Sequence, residues 1–454
     1  MKKPLRIAMF LGEFPVVSET FILRQITGLI DLGCEVDIFS DRRGDMNGAV
    51  QAEVAKYRLL DHTTYMDLPT ECAPWELPAW PLDGETWVPG ASEPIPNWKR
   101  FAEALPALRR CLECAPGLTE QAISADHYGF QAQSLSALHR LNRLIGLPGR
   151  YDVLHAHFGP VGESFRFARQ LWRAPLVVSF HGYDFTTLPR KRGAGIYRKL
   201  FETADAVTVN SEFTHDRLAL LGCPEAKLHL LPVGVDLAAF PFAKRFRQAH
   251  EPVRILTVAR LVEIKGHEFV LRAIARVRRH YPDIRYDLVG DGPLAKKLAA
   301  LIAELGLQDI VRMHGARDGA FIRELMAQSH LAVLASISIE GDAEGQGLFL
   351  QEAQASGLPV IATQHGALSE GMMAGRSGFL VAERDINGLA RQLSFLIAHP
   401  EAWPEMGRSG RAFVELHYDT RRLNQRLVEL YGSVKRRFPQ QGYERRRMSP
   451  FNPT

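Results

Sequence analysis

Two glutamates separated by seven residues, Glu344 and Glu352, form the pair whose spacing most directly suggests chemistry. The apolar run at residues 331–335 predicts a buried strand before them, and residues 348–355 predict a helix. Between strand and helix, the glycines of residues 345–347 permit a turn in which the backbone can approach a ligand closely. Such a strand, turn and helix N-terminus favour an anion, because unpaired N–H groups and the helix dipole meet there.

The spacing of these two carboxylates limits what they can do together. Eight residues of helix rise about 12 Å, whereas the two carboxyl groups that flank the scissile bond in a glycosidase lie roughly 5–9.5 Å apart. Glu344 and Glu352 are therefore expected to bind different parts of one long ligand. The alternative is that both are solvated surface glutamates near a helix start, where negative charge is favourable anyway.

A candidate cationic pair, Arg260 and Lys265, follows a predicted strand at residues 253–258. Positioned cations of this kind can stabilise negative charge on a ligand without help from a metal ion. Two solvated basic residues before a helix are the alternative. The glutamate motif in the same half of the chain favours ligand contact.

Polar residues also follow several predicted strands of the first half. In α/β sheets the ligand crevice lies at the carboxyl ends of the strands. His155 and His157 are expected to point to opposite faces of their strand, with His157 toward the cleft and His155 toward the core, which disfavours a metal pair. The candidate cleft residues at these strand ends are Gly12, His157, His181, Asp184 and Asn210.

Composition places the chain among globular proteins of two or more domains, with 454 residues, 46% hydrophobic and 23% charged. The net charge of +4 is too small to indicate nucleic-acid binding. An odd number of cysteines, five, argues against a disulfide framework, and Cys111 and Cys114 lack a second pair at zinc spacing. Neither a signal peptide nor a membrane span is recognisable. A cytoplasmic or peripheral membrane location is therefore expected.

Alternation of strand and helix signals predicts two parallel sheets. Predicted strands of the first half lie at residues 6–11, 35–39, 151–157, 176–180 and 206–209, and those of the second half at 253–258, 285–289, 310–314, 331–334 and 359–362.

Residues 62–125 interrupt this alternation with many prolines and with Trp75, Trp80, Trp87 and Trp98. Because proline removes backbone donors, neither a helix nor a central strand is expected there. The stretch is either an acceptor-side or membrane-facing insertion, or a structured loop whose tryptophans pack on the domain. Packing is the preferred interpretation.

Two motifs give the chain a family resemblance. Glu344-Gly-Gln-Gly-Leu348 followed by Glu352-Ala resembles the E-x7-E signature of retaining GT-B glycosyltransferases of family 4. Phe14-Pro-Val-Val-Ser-Glu-Thr-Phe21 resembles the exopolysaccharide and colanic-acid members. The resemblance covers nearly the whole chain outside residues 60–125 and the tail. It implies a GT-B fold, α/β, with two Rossmann-like doubly wound parallel-sheet domains facing a cleft.

The resemblance also implies how the chain is divided. An acceptor-binding N-terminal domain would span 1–236 with the insertion at 62–125, and a nucleotide-sugar-binding domain would span 253–418. The remaining segments would be a linker at 237–252, a helix at 419–437 that crosses back to the first domain, and a disordered tail at 438–454.

The family pattern assigns roles to the candidate residues. The catalytic set would be Glu344, His181, Arg260 and Lys265. Arg260 and Lys265 would bind the donor diphosphate, His181 would lie beside the transferred sugar, and Glu352 would accept hydrogen bonds from the ribose hydroxyls. The backbone N–H groups that would face the sugar or diphosphate are those of Gln346, Gly347 and Leu348.

The activity implied is a retaining, metal-independent transfer of a hexose from a nucleotide-sugar to a lipid-linked saccharide in exopolysaccharide or lipopolysaccharide assembly. The donor is expected to be UDP-linked in preference to GDP-linked. No cofactor is expected beyond the donor substrate. The alternatives are a GT-B nucleotide-sugar epimerase and a non-catalytic nucleotide-sugar-binding protein. Contact with the anionic inner membrane is expected from a cluster of basic residues in the first half: Arg166, Arg169, Arg173, residues 190–192, Arg198 and Lys199.

Overall fold

Two parallel β-sheets organise the computed structural model, which describes residues 3–16, 19–44, 52–68, 97–147 and 149–439. The first sheet has seven strands in the order β3-β2-β1-β4-β5-β6-β7. These strands are β1 (Arg6–Phe14), β2 (Glu35–Arg43), β3 (Thr63–Tyr65), β4 (Val153–His157), β5 (Leu176–Ser179), β6 (Ala206–Val209) and β7 (Leu228–Leu230).

The second sheet has six strands in the order β10-β9-β8-β11-β12-β13. They are β8 (Val253–Val258), β9 (Ile284–Val289), β10 (Val311–Met313), β11 (Leu331–Leu334), β12 (Val360–Thr363) and β13 (Gly378–Val381). In both sheets the order reverses beside the first strand, as in doubly wound folds. The predicted fold class, two doubly wound parallel-sheet domains, is confirmed.

Helices cover both sheets, and the central strands β4, β5, β6, β11 and β12 are buried along their whole length. The first domain contains α1 (Thr20–Asp31), α2 (Ala52–Lys56), α3 (Asn97–Cys114), α4 (Pro116–Ala122), α5 (Ala125–Tyr128), α6 (Phe130–Gln133), α7 (Ser136–Ile145), α8 (Gly159–Phe165), α9 (Ala168–Leu171), α10 (Thr187–Arg192), α11 (Arg198–Thr203) and α12 (Glu212–Leu220). The rest of the chain contributes α13 (His267–Arg278), α14 (Ala295–Glu304), α15 (Gly319–Gln328), α16 (Leu348–Ala355), α17 (Ile386–Ala398), α18 (Trp403–His417) and α19 (Thr420–Arg437).

The helix α19 belongs to the core of the first domain, although it comes last in sequence. Leu427, Tyr431 and Val434 are buried among the residues that pack on the first sheet. The two chain crossings between the domains are tied together, because Val235 N donates to Tyr418 O at 2.7 Å and Thr420 N donates to Val235 O at 3.1 Å. The first domain is therefore built from both ends of the chain.

Part of the proline-rich stretch is helical, so the expectation that no helix would form there was wrong. Helix α3 places Ala104, Ala107 and Cys111 on its buried face, in contact with α7. Good helix formers around Pro106 outweigh one lost backbone hydrogen bond. Pro116 begins α4, where its missing N–H would have no helical partner anyway. The expected packing of Trp75, Trp80, Trp87 and Trp98 lies outside the described side chains.

Candidate active site

The two domains meet where β5 and β6 of the first sheet face the turn between β11 and α16. At Gly345 an added Cβ would lie 2.6 Å from the His181 carbonyl oxygen and 3.1 Å from Asn210 Nδ2. Only a residue without a side chain permits this approach. The glutamate motif of the second domain and the strand-end residues of the first therefore form one site.

A largely buried ion pair, in which the side chains of Lys265 and Glu344 are 18% and 11% exposed, anchors Glu344 within this site. Its Oε1 accepts hydrogen bonds from Lys265 Nζ at 2.5 Å and from Ser336 Oγ at 2.9 Å. Burial tends to raise the pKa of Glu344, but Lys265 and Ser336 outweigh it and hold the pKa below its usual value. The carboxylate is therefore ionised at neutral pH.

The backbone of Glu344 is held by a second polar group. Its N–H donates to His365 Nε2 at 3.1 Å, and His365 Nδ1 lies 2.8 Å from Glu383 Oε1. This arrangement fits a neutral histidine that donates to the carboxylate and accepts from the backbone. Ser336 and His365 were missed by the sequence reasoning, although both follow predicted strands and the strand-end rule could have identified them.

Arg260 lies at the mouth of the same site. Its side chain reaches solvent, while desolvation by the cleft wall lowers its pKa and the charges of Glu344 and Asp342 oppose that shift. Arg260 and Lys265 thus present two cations close to the carboxylate of Glu344. An anionic ligand group entering here would meet both.

Glu352 lies in the second turn of α16 and contacts the first domain. Its Oε1 is 3.4 Å from Arg24 Nη1 on α1. Burial raises the pKa of Glu352, and the charge of Arg24 partly offsets this. Arg24 has no local sequence signal, because its partner lies 328 residues away.

The side chains of His155 and His157 do not point in the directions predicted for them. The rings of His155 and His157 lie 4.6 Å apart on the same side of β4, so the prediction of opposite faces was wrong. Strand side chains alternate with a period of two, and residues i and i+2 therefore share a face. His155 is bound to Tyr431 OH at 2.5 Å and Ser179 Oγ at 2.7 Å.

His157 and His181 form a stacked pair. Their ring centroids are 5.2 Å apart, and His157 Nδ1 lies 3.0 Å from His181 Nε2. Burial lowers the pKa of His181 to about 3 and of His155 to about 3, and it lowers the pKa of His157 well below its usual value. All three imidazoles are therefore neutral at pH 7.

Asp184 and Asn210 fix the backbone of His181. The buried Asp184 carboxylate accepts from the N–H groups of His181 at 3.1 Å, Gly182 at 2.8 Å and Gly159 at 3.1 Å. Asn210 Nδ2 donates to the His181 carbonyl oxygen at 3.1 Å. Burial raises the pKa of Asp184 to about 6 even though these N–H groups oppose the shift. Both side chains thus orient His181.

The remaining candidates lie at strand and helix ends. Gly12 is near the carboxyl end of β1, at the same sheet edge as His157 and His181. Gly347 precedes α16 with a φ of 77°, and Leu348 is the first helical residue. The Gln346 side chain points toward the first domain, where its amide binds the backbone of Val233.

A small cavity of about 30 Å³ lies beside His181. It is bounded by α1, α19 and the ends of β5 and β6, and its lining includes Arg24, Gln25, His181, Asn210 and Asn424. Within the described ranges, no group of three or more His, Cys, Asp or Glu side chains is arranged to hold a metal ion. None of the helices in those ranges is both long and apolar enough to span a membrane.

Comparison with known proteins identifies two family regions. Residues 18–234 match the glycosyl transferase 4-like domain, and residues 241–413 match the glycosyl transferases group 1 domain. A candidate colanic acid biosynthesis glycosyltransferase of Escherichia coli, WcaL, is 29% identical over 432 residues, which cover 94% of this chain and 99% of that protein.

A further relative is the GDP-mannose-dependent alpha-(1-6)-phosphatidylinositol monomannoside mannosyltransferase of Mycolicibacterium smegmatis. It is 31% identical over 309 residues, covering 64% of this chain and 78% of that protein. Among solved structures, Anabaena HepE in complex with UDP superposes with a TM-score of 0.66 at 17% identity, covering 94% of this chain and 100% of that one. The superposition supports the fold.

The buried histidines should make folding stability pH-dependent. An unfolded histidine binds a proton near pH 6.5, whereas folded His181 binds one only near pH 3, so its contribution falls as pH drops below about 6.5. Between pH 6 and 5, the free energy of unfolding should therefore fall less steeply in the His181→Asn variant than in the wild type, by about 1.4 kcal/mol per pH unit. Urea unfolding across pH 5–7.5 measures this difference.

The comparison is specific to His181. Asp184, whose raised pKa gives the opposite slope in the same window, is present in both proteins and cancels. Equal slopes for His181→Asn and the wild type would show that His181 is not held neutral.

Proposed function

We propose that this chain moves a hexose from a nucleotide-sugar to a lipid-linked saccharide with retention at the anomeric carbon. The premise is that the chain belongs to the GT-B glycosyltransferases of the group 1 family with a glycosyl transferase 4-like domain. The observation that carries the proposal is the ion pair of Lys265 and Glu344, next in sequence to Gly345, which approaches the His181 carbonyl oxygen.

The two cations act on the leaving group. As the bond between the anomeric carbon and phosphate oxygen breaks, its electron pair stays on the phosphate, where Arg260 and Lys265 stabilise the added charge. The acceptor oxygen bonds to the same face of the carbon, and its proton passes to the departing phosphate. No enzyme nucleophile takes part in this scheme.

His181 and Glu344 act on the sugar. The carbonyl oxygen of His181 is fixed by Asn210 and Asp184, and it can stabilise positive charge on the anomeric carbon. Glu344 is ionised and can accept hydrogen bonds from sugar hydroxyls with its second oxygen. Fixed donors and acceptors of this kind need no reorganisation during the reaction.

Glu352 binds the ribose of the donor. The residues around Glu352 select among nucleotide-sugar donors. A carboxylate suits two adjacent hydroxyls, and the loose contact with Arg24 leaves acceptor capacity for them. We propose a UDP-linked donor, while the name of the mycobacterial relative specifies GDP-mannose.

The process we propose is exopolysaccharide assembly, because WcaL is named for colanic acid biosynthesis and aligns over nearly its whole length. A lipid-linked acceptor requires peripheral contact with an anionic membrane on its cytoplasmic side. Part of the expected basic cluster is unsuited to this contact, since Arg166 is buried against Glu163 and Arg169 pairs with Asp205. Arg190 pairs with Glu340, so the exposed residues Lys191, Arg192 and Arg198 carry the proposal instead.

A panel of nucleotide-sugars tests the proposed activity. A ligand that binds only the folded state raises the melting temperature, and a UDP-hexose should give the largest shift. With donor and a lipid-linked saccharide, the product should be the extended saccharide with retained configuration. A GDP-sugar giving the largest shift would overturn the donor assignment, and epimerised donor without transfer would indicate an epimerase.

Substitutions separate the role of the cations from that of Glu352. Arg260→Ala and Lys265→Ala should lower kcat and kcat/KM together by about 10²–10³, because these cations act on charge that develops in the transition state. Glu352→Gln should chiefly raise the donor KM, since the ribose does not react. Steady-state kinetics of variants with matched melting curves measures this, and EDTA should leave wild-type activity unchanged.

Two results would contradict these assignments. Wild-type kcat in Arg260→Ala and Lys265→Ala at saturating donor would remove both residues from leaving-group stabilisation. Activity lost in EDTA and restored by Mg²⁺ would replace the metal-independent scheme.

Membrane contact should depend on charge. Each Lys or Arg near an anionic surface contributes about 1 kcal/mol, and salt screens the attraction. Co-sedimentation with phosphatidylserine vesicles should fall as salt rises, and glutamine substitution of Lys191, Arg192 and Arg198 should weaken it. Arg166→Gln is not a useful control, since Arg166 is buried; Arg391→Gln, exposed on the other domain, serves instead. No sedimentation at low salt would refute the contact.

A further inference from the structure

A buried histidine in the second domain lies between the backbone of Glu344 and a second carboxylate. His365 Nε2 is 3.1 Å from Glu344 N, and His365 Nδ1 is 2.8 Å from Glu383 Oε1. The side chain of His365 has no solvent exposure, whereas that of Glu383 is 22% exposed. Glu383 has no part in the proposed contacts with the leaving group or the sugar.

The proton of this histidine is restricted to one ring nitrogen. The backbone N–H of Glu344 is always a donor, so His365 Nε2 must accept and cannot carry a proton. The proton of the neutral ring therefore lies on Nδ1, which donates to Glu383. An ionised carboxylate accepts hydrogen bonds and does not donate them, so Glu383 favours the same tautomer.

Glu383 also holds the start of the segment that leads to Glu344. Its Oε2 accepts from Ser338 N–H at 2.7 Å, and its Oε1 accepts from Ser338 Oγ at 2.8 Å. Burial tends to raise the pKa of Glu383, but hydrogen bonds from Ser338 and His365 outweigh burial and hold the pKa below its usual value. The carboxylate is thus ionised at neutral pH and accepts at both oxygens.

The segment after β12 holds the backbone of Glu344 on its carbonyl side as well. Ala367 N donates to the Glu344 carbonyl oxygen at 2.9 Å. Gly366 has a φ of 49°, and an added Cβ there would lie 2.4 Å from the same oxygen. With the carbonyl side fixed in this way, the acceptor at His365 Nε2 determines where the N–H of Glu344 lies.

We propose that Glu383 is a positioning residue that fixes the tautomer of His365 and thereby places Glu344 for its contact with the transferred sugar. This role rests on the proposed function, in which Glu344 accepts hydrogen bonds from sugar hydroxyls. With the proton on Nε2, two N–H groups would face each other, and the backbone of Glu344 would move away from His365. Lys265 and Ser336 would still bind the carboxylate, but from a displaced backbone.

Replacing Glu383 by glutamine reverses one contact without changing the shape of the side chain. The amide oxygen can take only one of the two carboxylate positions, and the NH₂ group takes the other. Ser338 N–H cannot become an acceptor, so the amide oxygen must remain beside it. The NH₂ group then faces His365 Nδ1 and Ser338 Oγ, both of which can accept. The histidine proton is therefore expected to move to Nε2, against Glu344 N–H.

Nitrogen NMR chemical shifts of labelled histidine report which ring nitrogen carries the proton. Wild-type His365 should show a protonated Nδ1 and an unprotonated Nε2, and Glu383→Gln should show the reverse. The signals of His365 are identified by their loss in His365→Gln. A proton on Nε2 in the wild type would overturn the proposal without any measurement of activity.

Kinetics tests whether the tautomer matters for transfer. Glu383→Gln should lower kcat about tenfold and leave the UDP Kd within about twofold of wild type, because one hydrogen bond to the Glu344 backbone is lost while the nucleotide contacts remain. In the His365→Gln background the same substitution should lower kcat by less than about twofold, since a glutamine at 365 can present an oxygen to Glu344 N–H whatever stands at 383. Glu401→Gln, which alters an exposed pair with His399, is the matched control and should leave kcat unchanged.

The outcomes separate this inference from the proposed function. Wild-type kcat in Glu383→Gln would overturn the positioning role. An equal loss of kcat in both backgrounds would also overturn it, because Glu383 would then act through Ser338 and not through His365. A UDP Kd that weakens in proportion to kcat would overturn it too, since Glu383 would then only support nucleotide binding.

Failure of the wild type to bind any nucleotide-sugar would overturn the proposed function, whereas the proton position on His365 would still test the role of Glu383. If Glu383→Gln does not fold, the proton position in the wild type still decides.

Discussion

The ion pair between Lys265 and Glu344 is the constraint on which the rest of the site depends. A carboxylate with little solvent exposure is stable only when it is paired and hydrogen-bonded, and Lys265 and Ser336 meet that need. His365 accepts from the backbone N–H of the same residue. These partners come from the segments after β8, β11 and β12, so the contacts of Glu344 fix the relative positions of three strand ends and of the turn that follows it.

In the first domain, too, polar contacts hold a candidate site residue in place, but there the neutral residue His181 takes the position of the charged Glu344. His181 is oriented through its backbone, because Asp184 binds its N–H and Asn210 binds its carbonyl oxygen. Its ring stacks on His157, and neither imidazole is charged at neutral pH. One side of the cleft thus offers an oriented carbonyl dipole and the other offers paired charges. Such an arrangement suits a reaction in which positive charge forms on a sugar while negative charge leaves with a phosphate.

The sequence predicted those parts of the structure in which local pattern and tertiary environment agree. β6, β8 and β11 are mostly apolar runs, as expected for strands covered on both faces, and their predicted bounds match the structure. β13 was missed because its middle residues are half exposed and its signal is weak. α3 was missed because proline content was weighed above the alanine and leucine content of the same stretch. The pairing of Arg24 with Glu352 had no signal, since periodicity carries no information about which distant residues meet.

The two glycines of the turn show how differently one residue type can be constrained. Gly347 has a φ of 77°, so its requirement is set by the backbone of its own domain and holds whether or not the domains touch. Gly345 has no such constraint on φ, and its requirement comes from the His181 carbonyl oxygen, 2.6 Å from where a Cβ would lie. That requirement comes from the contact between the domains. A side chain at 347 would thus strain the fold itself, whereas one at 345 would oppose the approach of the domains.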